Sequence, residues 1–165
     1  MVRLRIIPTV LYRDYSTVKG EKFESWRVVG NIIQAVKIYS LREVDELIVL
    51  NIDLSKNKEK IDFDLVSQFA RECTMPLTVG GGVSSLEDID KLLRSGADKV
   101  SINTSAIKNL KFIETAIKKF GSQCIVISVD YKKCNDGKLE IFTKSGSEAT
   151  GIELLTFIKN LKKIN

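Results

Sequence analysis

The chain has 165 residues, 44% hydrophobic and 28% charged, with 26 basic and 21 acidic side chains for a formal net charge of +5. These proportions fit one globular domain with a full core and exclude a disordered, fibrous or disulfide-stapled chain. Histidine is absent, so any chemistry falls to carboxylates, lysine, hydroxyls and backbone dipoles.

In chain order, Arg5–Val10 is a short apolar run rich in β-branched residues and predicts a strand, with Pro8 giving up one ladder hydrogen bond. A long polar loop is expected from Leu11 to about Gly30. Helical spacing of Ile32, Val36 and Tyr39 predicts a helix over about 31–41, with Asn31 as its N-cap. Leu47–Ile52 is continuously apolar, as in a strand buried on both faces. A polar loop through Ser55–Lys58 leads to a helix over about 62–73. Leu77–Val79 is a third strand, ending in Gly80-Gly81-Gly82, and a helix capped by Ser84 or Ser85 follows and stops at Gly96. Lys99–Ile102 is a fourth strand, with a helix over about 105–120 after it. Gln123–Val129 is a fifth strand, ending at Asp130. An excursion with a turn at Asn135-Asp136-Gly137 and a strand-like Leu139–Phe142 precedes a last helix over about 151–163. The expectation is α/β, five strands each followed by a helix, with connections suited to parallel strands. Two architectures satisfy the pattern: a doubly wound sheet and a segment of a (β/α)8 barrel. The length falls short of the roughly 250 residues of a complete barrel.

In both architectures chemistry gathers at the C-terminal ends of parallel strands. Those positions carry Leu11, with Lys19 further along, then Asn51 and Asp53, the Gly80–Gly82 run, Asn103 with Thr104, and Asp130. Glycines let backbone N–H groups approach a ligand, and Asn103-Thr104 precedes a helix start that favours an anion. A phosphate cradle and a plain tight turn with an ordinary cap both fit. Asp130 reads as a cap or as a general acid/base, and Lys19 as an exposed loop lysine or a substrate contact. At the strand starts, Arg5, Glu46 and Lys99 read as unrelated flanking charges or as a salt-bridged ring at one rim.

The basic residues are spread over helices, with a small cluster at Lys159, Lys162 and Lys163. That pattern fits solvated faces, or an anionic small molecule, and offers nothing for nucleic acid. Cys73, Cys124 and Cys134 form no CxxC motif and read as thiols in a reducing, cytoplasmic setting with no metal site. The apolar runs are too short for a membrane span, and the first eight residues do not resemble a signal peptide.

Arg5-Ile6-Ile7, Val18-Lys19-Gly20, Asp45-Glu46-Leu47, Val79-Gly80-Gly81-Gly82, the stretch from Gly96 to Thr104, and Phe120-Gly121-Ser122-Gln123 closely resemble the HisA/HisF family, on its HisF side. HisF-type chains form the cyclase subunit of imidazole glycerol phosphate synthase. The resemblance runs from Arg5 to the last helix. It implies a (β/α)8 barrel that takes ammonia from a HisH-type glutaminase partner and joins it to a phosphorylated ribulosyl substrate, without a cofactor. It implies phosphate or substrate binding at Asn51, Gly81, Gly82, Ser101, Asn103 and Thr104. It also implies a catalytic role for Asp130, an active-site loop role for Lys19, a gate at Arg5, Glu46 and Lys99, and partner-rim positions at Asp98 and Gln123.

Two departures stand out. The family's first catalytic aspartate falls on Leu11, which cannot transfer a proton, and its strand-two aspartate falls on Asn51. The segment Arg5–Leu11 looks more like HisF paralogues of surface-sugar clusters, which pass ammonia to a sugar amidotransferase. The chain also matches only about five of eight βα units, units one to four in 1–120 and the fifth in 121–165. The expectation is a single incomplete barrel domain with impaired cyclase turnover. Self-association, a complementary C-terminal half, or a non-catalytic glutaminase-binding role goes with it.

Overall fold

A computed structural model describes residues 4–21, 24–54, 60–134 and 137–164. The expected Ser55–Lys58 loop and the Asn135-Asp136 part of the turn lie outside the described residues. Five parallel strands form the centre: β1 (Thr9–Arg13), β4 (Leu47–Asn51), β5 (Leu77–Gly80), β6 (Lys99–Ile102) and β7 (Ile125–Ile127). Before β4 come β2 (Ser16–Glu21), β3 (Glu24–Asn31) and helix α1 (Ile32–Leu41). Helices α2 (Phe63–Glu72), α3 (Leu86–Arg94), α4 (Thr104–Lys108) and α5 (Leu110–Phe120) alternate with the later strands. Beyond β7 lie β8 (Asp130–Lys133), β9 (Leu139–Thr143), β10 (Glu148–Glu153) and α6 (Leu154–Leu161). The main sheet runs β3-β2-β1-β4-β5-β6-β7, and β8, β9 and β10 make a separate antiparallel sheet. The main sheet is open, with β3 and β7 at its edges. This is an α/β architecture consistent with part of a (β/α)8 barrel.

The central strands obey period two. Val10, Tyr12, Leu47, Val49, Leu77, Val79, Val100 and Ile102 are buried in the core shared with the helices. The alternate residues Leu11, Ile48, Leu50, Thr78 and Ser101 therefore take the opposite face. The helices begin where capping chemistry allows. Asn31 Oδ1 accepts from the N–H groups of Ile33 and Gln34, and Asp62 accepts from Leu65. Ser85 and Asp88 form a reciprocal capping box on α3. Gly96 follows α3 at φ +101°, a conformation that favours glycine.

Several expectations need correction. The first strand begins at Thr9, not Arg5, because Pro8 has no N–H to give the ladder; its carbonyl still accepts from Ile48. The expected 11–30 loop is an antiparallel hairpin that extends β1, turned at Asp14-Tyr15 with both φ positive. Its strands alternate too weakly in hydropathy to stand out. The 105–120 helix breaks at Asn109, whose side chain accepts from Phe112 and restarts it as α5. The fifth strand ends at Ile127, so Asp130 does not end it but opens β8. Residues 148–153 are a strand, and the last helix begins at Leu154. The connections are thus not all between parallel strands.

Candidate functional site

The C-terminal ends of β1, β4, β5 and β6 surround a cavity of about 400 Å³. Leu11, Asn51, Gly81, Gly82, Ser101, Asn103, Thr104 and Asp130 all line it, although they come from five separate segments. The sequence-based expectation grouped these positions by their place at strand ends and by the family resemblance. The remaining lining is mostly serine and aliphatic, and Asp130 is the one ionisable side chain among the described residues around the cavity.

The glycines are required by the backbone. Gly81 sits at φ +110°, and a Cβ there would stand 2.3 Å from the Asn51 carbonyl oxygen. Gly82 sits at φ +72°, where a Cβ would meet Leu54 Cβ at 2.8 Å. The β5–α3 turn therefore packs directly on the end of β4. Asn51 supports that end, since its Oδ1 accepts from Asp53 N–H at 3.0 Å and from Leu54 N–H at 3.4 Å. Tyr12, buried beside Asn51, has its hydroxyl pushed up to about 12, chiefly by burial.

Asn103 closes β6. Its backbone carbonyl accepts from Ala106 and Ile107, while its side chain turns away from the helix and Nδ2 donates to Asp130 Oδ2 at 3.0 Å. Burial raises the Asp130 carboxyl above its ordinary value, and the Asn103 hydrogen bond partly opposes this.

The small sheet supplies the far wall, which the sequence-based reading missed. Its β9–β10 turn lies over the mouth. Lys144 N–H donates to Thr104 Oγ1 at 3.3 Å, and Ser145 Oγ donates to Ile52 O at 3.1 Å. Lys144, Ser145 and Gly146 all hold positive φ. A run of three such residues is a turn signal only when Gly, Asn or Asp fills it, and here only one position is glycine. Ser84, Ser105 and Ser128 also line the cavity unannounced.

Lys19 does not join the cavity lining. It is exposed on β2, paired in register with Arg27. The hairpin that replaces the expected loop carries it there.

The strand-start rim lies five residues down β4 from Asn51, about 16 Å of extended chain. There the buried Glu46 carboxylate accepts from Arg5 Nη1 on one oxygen and from Lys99 Nζ, at 2.6 Å, on the other. The three charges that the sequence spaces 41 and 53 residues apart form one cluster. By strand alternation Glu46, Ile48 and Leu50 share the face that carries the cavity. Asp98 accepts from Leu77 N–H at 2.8 Å and so fastens the starts of β5 and β6 together. Gln123 is exposed on the short 3-10 turn before β7. Burial pushes the Cys73 thiol up to about 11, the behaviour of a packed and unreactive side chain. Among the described residues no cluster of acidic or cysteine side chains is placed to hold a metal, and no helix is long and apolar enough to cross a membrane.

The model of the histidine biosynthesis protein family matches residues 5–165. A Campylobacter jejuni protein described as "Putative imidazole glycerol phosphate synthase subunit hisF2" is 49% identical over 136 residues. That match covers 82% of this chain and 54% of the relative, so the chain spans about half the length of the curated relative it matches. With the family model matched along nearly its whole length and a HisF-type relative 49% identical, the chain belongs to the histidine biosynthesis protein family and is HisF-like.

Proposed function

We propose that the chain provides the ammonia-entry rim and one phosphate-binding half of a HisF-type subunit of imidazole glycerol phosphate synthase. The observation that carries this reading is the shared face. Glu46, clamped by Arg5 and Lys99, stands at one end of it, and the cavity with Gly81, Gly82, Asn103 and Thr104 stands at the other. Ammonia released by a HisH-type glutaminase docked at the rim, near Asp98 and Gln123, enters past Glu46. A phosphorylated ribulosyl substrate is held by backbone N–H groups and hydroxyls, since the described lining offers no cation. Asp130 supplies the proton transfer that this half can offer. Titrating inorganic phosphate into the ¹⁵N-labelled chain tests the phosphate half of this reading. Shifts centred on Gly81, Gly82, Asn103 and Thr104 support it, and shifts elsewhere or none refute it.

Leu11 favours a second reading. It lines the cavity where a cyclase of this type needs a second carboxylate. A subunit that keeps the gate but lacks that group suits ammonia delivery to a sugar amidotransferase. Ammonia-dependent cyclase turnover by a full-length form with Leu11 in place would eliminate the conduit reading.

A further inference from the structure

Asparagine is favoured before a helix because its side-chain oxygen accepts from the first free N–H groups. Asn31 and Asn109 do this. Asn103 occupies the equivalent position before α4, yet its side chain makes no cap bond. Its Nδ2 donates to Asp130 instead, and its Oδ1 is left buried with no partner among the described residues. The orientation is fixed by chemistry, because a carboxylate only accepts and the amide nitrogen must face it. A buried oxygen without a donor costs about 1–3 kcal/mol. Folding alone would turn this amide back to the helix.

We propose that Asn103 is a positioning residue for Asp130, its amide held off the helix so that Nδ2 grips the carboxylate as a hydrogen-bond acceptor facing the cavity. The proposal rests on the reading of the cavity as the binding site. No other described residue is placed to do this work. Phe142 stands opposite Asp130 on β9, Leu11 and Ser128 line the same cavity, and no charged side chain of β1, β4, β5 or β6 joins Asp130 in that lining. Of the charged groups of the small sheet, Lys133 is exposed at the end of β8, Glu153 accepts from Thr156, and the others are engaged in contacts away from Asp130. Lys132 lies over Phe142 and donates to Gly146 O, Lys144 pairs with Glu148, and Glu140 accepts from Gly151 N–H. Burial disfavours the Asp130 carboxylate, and the Asn103 amide is the group that opposes it. Asp130 held in this way accepts a proton from a ligand hydroxyl or amine rather than donating one.

The test uses the ligand-free 165-residue chain with ¹³C-labelled aspartate, comparing wild type with Asn103→Leu, which keeps the shape and removes the amide. The expected result is an upward move of the Asp130 titration midpoint. It comes with a stability deficit of the variant that is small in acid and grows as pH rises through that midpoint, as linkage requires. A merely structural asparagine would cost the same stability at every pH. An unmoved or lowered Asp130 midpoint, or a pH-independent deficit, overturns the proposal. Should the variant fail to fold, wild type alone decides. The Asn103 side-chain NH₂ resonances must titrate with the Asp130 midpoint, and stationary resonances overturn the proposal. Phosphate binding, measured separately, judges the cavity reading, so the two can fail independently.

Discussion

Leu11 and Leu50 stand side by side in the parallel register of β1 and β4, and both face the cavity that holds Asp130. A carboxylate at position 11 would share that cavity with Asp130. The leucine pair instead makes one wall apolar, and the described lining keeps a single proton-transfer group.

Replacing this leucine is the direct test of what the wall costs. In a full-length form, Leu11→Asp should gain ammonia-dependent cyclase turnover over a parent with little. The new carboxylate loses apolar contact with Leu50, so stability should fall by about 1–3 kcal/mol. A turnover assay and a urea melt read the two effects.

Glu46 is buried and satisfies two cations at once. Glu46→Gln keeps the shape but leaves Arg5 and Lys99 without a counter-charge. The loss should be about 2 kcal/mol in denaturant unfolding, much of it from Lys99, because Arg5 is 63% exposed and screened by water. Glu46→Leu combined with Lys99→Met should cost less than the sum of the two single changes.

Gly81→Ala places a methyl group against the Asn51 carbonyl in a backbone conformation that disfavours it. A loss of about 2–4 kcal/mol is expected, with disturbance of the cavity end of β4. Gly30→Ala is the control, since nothing lies within 4 Å of a Cβ there. Comparing the unfolding midpoints separates strain from a general intolerance of alanine.

Asp130 yields a pH signature. Its folded carboxyl is raised by burial, so the folded state binds the proton more readily than the unfolded state. The resulting stability is fully present below the unfolded value of 3.8 and is lost as pH rises through the raised folded value. Asp130→Asn removes the ionisation, so the variant should exceed wild type in stability at neutral pH. The gap should close in acid, as followed by thermal melts across pH 3–8.

The central α/β repeat was legible because its signals are local. Leu47–Asn51 is apolar throughout, Asn31 and Ser85 cap as their chemistry dictates, and Gly96 stops α3 at a positive φ. The hairpin of β2 and β3 was not legible. Its residues face water on most sides, and the turn that leads into it from β1 uses Asp14 and Tyr15 rather than a glycine pair. Asp130 was read as the end of a strand because Gln123–Val129 is apolar. The chain leaves the main sheet after Ile127 to build the second one, and hydropathy does not mark that exit.

By itself the sequence determined the parallel βα repeat, the glycine turn after β5, the absence of histidine and the leucine at position 11. Each of these is a property of one residue or one short run. Only the tertiary structure decided that Arg5 and Lys99 meet on the two oxygens of Glu46, that Lys19 stays outside the cavity and that Ser145 closes it. It also decided that Asn103 gives its amide to Asp130 rather than to its own helix. The physical reason is that these are contacts between segments distant in the chain. They are set by strand register and by which face each side chain takes, and no local propensity encodes either.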